Sequence, residues 1–256
     1  MPTTLYTTQF FEDRVKGSVE SAKQIVPFLK EITSCRSVID VGCGLGTWLS
    51  VFKECGIDDF RGIDGAYINQ DQLRIPRDRF IAADLAEPSP INRQFDLAIC
   101  LEVAEHLPPA ADERLLDFLI GLSPVIAFSA SIPFQDGTGH VNEHWIEHWV
   151  QGFESRGYLA VDCIRPRFWN TPDVDWWYAQ NTIVYVDRDK LTTYPKINAI
   201  YSAQLMKPFS CVHPRFFLHK QNCLDEMPVI EAWKKALVRT WKVVERRLIN
   251  RKSTPR

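Results

Sequence analysis

No uninterrupted apolar run comes near the roughly 20 residues that a membrane-spanning helix requires, so the sequence offers no candidate for one. Residues 1–11 lack the basic start and apolar middle of a signal peptide, and the expected location is the cytoplasm. The seven cysteines include no CxxC pair, and their odd number argues against a disulfide scaffold. Cys43, Cys100 and Cys163 lie in or beside apolar strand-like runs and read as buried free thiols. Internal repeats and low-complexity tracts are missing too. What remains is a chain of 256 residues, 45% apolar and 24% charged, sized for one globular domain with an ordinary core. Disordered and collagen-like architectures do not fit that composition.

The net charge of −2 conceals an asymmetry, because residues 231–256 hold nine Lys/Arg against two Glu. Their local charge of +7 leaves −9 on the first 230 residues. Trp233, Leu237, Trp241, Val244 and Leu248 follow one another at spacings of three and four, which predicts a basic amphipathic helix over 231–256. Such a helix suits peripheral contact with an anionic membrane surface, or packs on the domain with its charged face in water.

Short apolar runs alternate with helical stretches. Strands are expected over 37–41, 60–63, 80–83, 95–101, 125–129, 158–164 and 182–186, and helices over 18–31, 47–54, 111–122 and 143–156. This pattern predicts an α/β fold with a mostly parallel seven-stranded sheet covered by helices on both faces. Residues 1–190 form the expected main domain, with its N-terminal helix, and 191–230, rich in Pro and poor in periodicity, an irregular appendage.

The strongest motif is Ser37-Val38-Ile39-Asp40-Val41-Gly42-Cys43-Gly44-Leu45-Gly46, a strand that runs into three alternating glycines and then a helix. Glycines permit the tight turn and let a ligand lie against the backbone, while free N–H groups at the helix start favour a negative group. Twenty-two residues beyond Gly42, at the end of the next strand, stands Asp64, placed to accept both hydroxyls of a ribose. A nucleoside cofactor follows. The spacing is GxGxG, whereas a dinucleotide dehydrogenase usually has GxGxxG.

With Asp40 ahead of the glycines, Asp64, Asp84 in Ala82-Ala83-Asp84-Leu85 and the strand Phe95-Asp96-Leu97-Ala98, residues 36–186 resemble the class I S-adenosylmethionine-dependent methyltransferases. The resemblance implies a Rossmann-like fold. It implies that Asp40, Gly42, Gly44, Gly46, Asp64, Asp84 and Leu101 form the cofactor site, with the glycine loop under the methionine end, Asp64 on the ribose and Asp84 on the adenine amino group. Taken singly, each acid could be a helix cap or a turn former.

After the fourth main strand comes Leu101-Glu102-Val103-Ala104-Glu105-His106-Leu107-Pro108, with two carboxylates and an imidazole within five residues. A helical turn here would put Glu102 on one face with Glu105 or His106, able to grip one metal ion. Gly139-His140-Val141-Asn142-Glu143-His144-Trp145, after the fifth strand, supplies a further ligand, and both segments follow strand ends where open α/β sheets place their ligands. The pattern is similar to that of the metal-dependent small-RNA 3′-terminal 2′-O-methyltransferases. That resemblance implies a divalent ion, of open identity, on Glu102, Glu105, His106 and His140, holding a vicinal diol. In the metal-free alternative, which the wide occurrence of EVxEH among methyltransferases keeps open, the carboxylate starts a helix and the imidazole orients the loop. Some assistance is needed, since ionising an alcohol of pKa near that of water, ~15.7, at pH 7 costs about 12 kcal/mol. His140, with Glu105 and His106, is the expected handler of the proton or the metal.

His140, His144 and His148 are four apart and would share one side of a continuous helix, where His144 and His148 would line or support the acceptor pocket. His144 to His148 also fits HxxEH, an inverted zinc-protease pattern, but in a context that does not suit a protease. Trp145 and Trp149 are expected core contacts. Trp169, Trp176 and Trp177 either cap the core or offer a sugar ring an apolar face. The runs SVIDVGCG, GIDG, LEVAEHLP, FSASIP, GHVNEHW, WWYAQN and VHPRF also resemble bacterial methyltransferases that accompany glycosyltransferases in surface-polysaccharide pathways. This implies a sugar, nucleotide-sugar or glycan acceptor and O-methylation, and agrees with a tail near membranes. Small aromatic or quinone-like acceptors, an RNA 2′-hydroxyl and a non-catalytic cofactor-binding subunit stay as alternatives. Nucleic acid is disfavoured by the acidity of the chain outside its tail.

Overall fold

The computed structural model describes residues 8–225. Helix α1 (Thr8–Thr33) buries Ala22, Ile25, Val26, Leu29 and Ile32, a stripe at spacings of three and four. Ser34, in the left-handed region at φ 55°, follows its last turn. The sheet then unfolds as β1 (Ser37–Val41), β2 (Asp59–Asp64), β3 (Phe80–Ala82), β4 (Leu97–Leu101), β5 (Val125–Ser129), β6 (Tyr158–Val161) and β7 (Ile183–Asp187). Between the strands lie α2 (Thr47–Glu54), α3 (Asp112–Leu122), α4 (Ile146–Glu154) and the short α5 (Arg165–Phe168) and α6 (Trp176–Asn181).

Spatial order is β3-β2-β1-β4-β5-β7-β6, all parallel except β7, which runs antiparallel to both β5 and β6. Chain order turns at β1, with β2 on one side and β4 on the other, and that switch opens a crevice beyond the carboxyl ends of these strands. The period of two divides each strand between two cores. Val125 and Ala127 of β5 join α1 and α2 through Leu29, Leu49 and Phe52. From the same strand Phe128 meets Trp149 and Phe153 of α4, and Phe153 stacks on Tyr185 of β7 with centroids 4.0 Å apart.

The sequence reading of β1, α2 and β5 matches their bounds. The strand expected to reach residue 164 ends at Val161, and the helix expected from residue 143 begins at Ile146. The stretch read as irregular contains two helices, α7 (Pro195–Ala203) and α8 (Pro214–Asp225). Residues 1–213 form one unit and 214–256 a second, of which α8 is described; the predicted helix over 231–256 lies outside the described residues. Among the described residues, no helix is long and apolar enough to cross a membrane. Cys43, Cys100 and Cys163 are free and buried as expected, and burial pushes all three thiols up in pKa.

Candidate active site

At the end of β1 the chain turns through Gly42, Gly44 and Gly46, all in the left-handed region, with φ of 85°, 53° and 78°. A side chain at Gly42 would strike Val103, and one at Gly46 would strike Ile75. At Gly44 the space where a side chain would stand is open, which leaves a cradle above the backbone. No side chain caps the start of α2, so its first N–H groups are left for a ligand. Asp64, at the end of β2, accepts from Gly44 N (2.7 Å), Gly65 N (2.6 Å) and the Tyr67 hydroxyl (2.6 Å), and so ties the glycine loop to the neighbouring strand.

Asp40 lies beneath the loop, 3% exposed, and its Oδ2 has no hydrogen-bond partner. Burial, reinforced by the charge of Asp64, holds its carboxyl well above the usual carboxylate range. An orphaned buried acid beside an open glycine cradle fits a ligand that bears positive charge and hydrogen-bond donors. Asp84 follows β3, exposed, and its carboxylate accepts from Ala86 N at 2.9 Å. Leu101, half-buried, closes β4.

The next segment corrects the expected helical turn. Glu102 itself takes φ 56°, and only Ala104–His106 form a single 3-10 turn. Glu102 is held in that conformation by its N–H, which lies 3.0 Å from Ser129 O and 3.1 Å from Ser129 Oγ. Glu105 nonetheless meets His106 and His140, with potential ligand atoms all within 4.8 Å of one another. The His106 and His140 rings pack edge to face at 4.8 Å. Glu105 carbonyl oxygen accepts from Val141 N and Asn142 N, which fixes the distant loop against this turn.

The Glu105 side chain is fully buried and its Oε2 has no hydrogen-bond partner; burial, then the charge of Glu102, raises its pKa well above the carboxylate range. Glu102 stands apart from that ligand group but shares the Ser131 hydroxyl with Glu105, at 3.3 and 3.0 Å. Two carboxylates and two imidazoles of this kind suit a divalent ion, which would neutralise the acids. His140 Nδ1 lies 3.1 Å from Glu143 Oε1, and since a carboxylate only accepts, the neutral ring places its proton on Nδ1 and its lone pair on Nε2.

Several participants were not picked out from sequence. Gln135 Nε2 donates to Glu102 Oε2 (3.1 Å), and Asn181 Nδ2 reaches Glu102 Oε1 (3.1 Å) and Gln135 Oε1 (3.0 Å). Gln180 donates to Asn181 Oδ1 and accepts from His213 N. Glu143 accepts from Phe134 N besides holding His140. These residues come from three separate segments. FSASIP, GHVNEHW and WWYAQN contained Ser131, Glu143, Gln180 and Asn181, and the only available signal was polar residues flanking apolar strands.

His140 sits in a loop, and His144 precedes the first residue of α4, so no continuous helix carries the three histidines and the HxxEH pattern lacks the helix it requires. His144 and His148 turn instead toward Asp112 at the start of α3. Burial, then the neighbouring His148, lowers the His144 pKa. Trp149 is buried as expected, whereas Trp145 is 43% exposed. Trp169, Trp176 and Trp177 are half-buried, and Trp177 packs against the core.

This strand order and this glycine cradle define a Rossmann-like S-adenosylmethionine-dependent methyltransferase of class I. A methyltransferase-domain family matches residues 14–150, more than half of the chain, and the chain belongs to that family. Among solved structures it is similar to the sugar N-methyltransferase KedS8 from Streptoalloteichus, with 16% identity, a TM-score of 0.55, and 73% of this chain and 98% of that one covered. It is also similar to S-adenosylmethionine-bound CalS10, an amino pentose methyltransferase from Micromonospora echinaspora, with 15% identity, a TM-score of 0.50, and coverage of 73% and 100%. The methyltransferase domain of bacterial CtHen1 is 24% identical, with a TM-score of 0.45 and coverage of 65% and 96%. No curated protein matches the sequence significantly.

Proposed function

We propose that this methyltransferase acts on a hydroxyl of a sugar or glycan-type acceptor, with a divalent ion on Glu105, His106 and His140 and with Glu102 joining on rearrangement. The observation that carries the reading is the polar wall formed by Glu102, Glu105, Ser131, Gln135 and Asn181 beside two imidazoles. Glu102, half-buried, is the member of the wall open to a polyhydroxylated ring, while Glu105, Ser131, Gln135 and Asn181 are buried and three of them hydrogen-bond its carboxylate. The Streptoalloteichus protein that shares this fold is a sugar N-methyltransferase.

The cofactor would rest on Gly42, Gly44 and Gly46, with Asp64 on the ribose, Asp84 near the base and Leu101 at the mouth of β4. When bound, S-adenosylmethionine would supply an electrophilic methyl on a sulfonium, and Asp40, with its unsatisfied oxygen, would be the residue beneath the glycine loop to meet positive charge or a donor there. A divalent ion, when bound, acidifies a hydroxyl and fixes it in place. The chain's own contribution is orientation and proton transfer. Glu143 sets the His140 tautomer so that Nε2 can bind an ion or accept a proton as the oxygen is alkylated. The cytoplasmic location and membrane contact through residues 231–256 belong to the same reading.

The test measures methyl transfer from S-adenosylmethionine to glycans, nucleotide sugars, catechols and RNA with a free 3′-terminal diol, with and without chelator. Transfer to a saccharide that chelator abolishes and one added ion restores supports the proposal. Transfer only to the catechol or only to RNA overturns the acceptor, and undiminished transfer in chelator overturns the metal, leaving His140 as a general base.

A further inference from the structure

The acids and imidazoles around Glu105 do not absorb all the ligand-bearing side chains in this part of the molecule. We propose that Asp112, His144 and His148 form a second, separate cation site that takes a borderline transition-metal ion such as Zn2+.

Asp112 is the first residue of α3, and its side chain is nearly buried. Its Oδ1 accepts from Asn142 Nδ2 at 2.6 Å, which fixes the plane of the carboxylate and aims Oδ2 at the two histidines. Oδ2 lies 3.0 Å from His148 Nε2 and 3.4 Å from His144 Nε2. The two rings are stacked, with centroids 3.8 Å apart and planes within 15°, so their Nε2 atoms point the same way. The Trp149 ring meets both edge to face, at 4.7 and 5.6 Å, and limits their rotation. Together these give two imidazoles and one carboxylate, with one donor atom from each within 4.8 Å of the others.

A simple ion pair leaves this arrangement unfinished. Asp112 serves His148 with a hydrogen bond, whereas His144 Nε2 is buried and has no hydrogen-bond partner. An ion shared by the three atoms would take the lone pairs of both nitrogens and the charge of Oδ2. The rings are 33% and 41% exposed, which lets each tilt out of the stack toward a common ion and leaves further positions to water. Imidazole nitrogen selects zinc, nickel, cobalt or copper over magnesium or calcium, which prefer oxygen. Asn142 then acts as the outer partner that orients the carboxylate ligand.

The site shares no ligand with the Glu105 group, yet both are built on the same two short runs of chain, 105–112 and 140–148. Asn142 donates its backbone N–H to the Glu105 carbonyl (3.2 Å) and its side chain to Asp112. An ion on Asp112, His144 and His148 would brace the start of α3 against the start of α4. It would thereby hold the segment that presents His140.

The test is a Zn2+ titration of the full chain, stripped of metal by chelator, followed by calorimetry and thermal melting. Wild type, His140→Ala, His148→Gln, the double variant His144→Gln/His148→Gln and Asp112→Asn are compared. Circular dichroism of each metal-free protein checks its fold, and Asp112→Asn keeps the acceptor for Asn142. The expected result is a Zn2+ site that survives His140→Ala. It weakens at least tenfold in His148→Gln and in Asp112→Asn, and the double variant loses the part of the heat and of the rise in Tm that His140→Ala retains. Equal Zn2+ binding by wild type and the double variant overturns the proposal, as does complete loss of binding in His140→Ala. So does wild-type protein that takes up no Zn2+ at all.

Discussion

Replacing Asp40 with Asn is expected to strengthen the unliganded fold and to weaken its hold on S-adenosylmethionine. Asp40 Oδ2 is buried with no partner, and Asp64 adds like charge, so folding raises the carboxyl's pKa from an unfolded value of about 3.9. A carboxyl raised in this way binds more protons folded than unfolded. Its contribution to stability is complete below the unfolded pKa and is lost as pH rises through the folded one. Inside that window the loss is about 1.4 kcal/mol per pH unit, and asparagine, which does not titrate, escapes it. The unfolding free energy of wild type minus that of Asp40→Asn therefore falls by about 1.4 kcal/mol per unit as pH climbs across the window. Glu105, raised by burial as well, is common to both proteins and drops out of the difference. Urea unfolding at pH 5, 6 and 7, extrapolated linearly to water, measures it. For the cofactor, loss of a charge-assisted contact worth about 1.5–3 kcal/mol weakens Kd roughly 10- to 100-fold, read by calorimetry. A stability difference that stays flat from pH 5 to 7 would refute the reasoning, because the carboxyl would then be solvated or paired.

Gly137→Ala places a methyl 2.1 Å from His140 Nε2 and 2.3 Å from its Cε1, so the ring must leave Glu143; methyl transfer should fall at least tenfold while calorimetry returns an unchanged Kd for S-adenosylmethionine. Gly42→Ala meets a φ of 85° and a Val103 methyl at 2.2 Å. It should cost about 1–2 kcal/mol from the backbone and about 1–3 more from overpacking, seen as a lower urea midpoint together with weaker cofactor binding. Phe153→Ala, at a fully buried position between Phe128 and Tyr185, should cost about 3–5 kcal/mol in urea unfolding and leave the glycine loop in place.

Where local signals agree with the tertiary environment, the sequence was readable. β1, α2 and β5 are short elements bounded by glycine, proline or serine, the strands buried along nearly all their length and α2 along one face, and their expected limits match. Glu102 escaped because glutamate gives no local hint of a left-handed backbone; Ser129 of the adjacent strand imposes it. The start of α4 was set too early for a similar reason. Glu143 is held to Phe134 N and His140, and Trp145 is extended at φ −65° and ψ 152°, so the helix begins at Ile146. α7 opens on Pro195, a favoured first helical residue, a start signal lost among the surrounding prolines and aromatics. The candidate site was legible where its residues sit in one motif, as with Asp40, Asp64, Glu105 and His106. Gln135 and Asn181 were not, since only the order of β4, β5 and β7 brings them to the same wall, nor was Glu143, which the loop folds onto Phe134 N and His140.

The crevice at the switch between β1 and β4 holds two acidic pairs built on one plan. Burial, and then the charge of Asp64 or Glu102 beside it, raises the pKa of Asp40 and of Glu105, and each pair keeps one buried oxygen unsatisfied. Leaving such an oxygen bare costs about 1–3 kcal/mol on mutational scales, and doing so twice is a considerable fraction of a domain's net stability. An arrangement this costly persists when a ligand relieves it. A neutral ligand lacking donors, or an anionic one, would leave both oxygens as they are. The two orphans therefore favour a ligand that brings positive charge or hydrogen-bond donors to each pair.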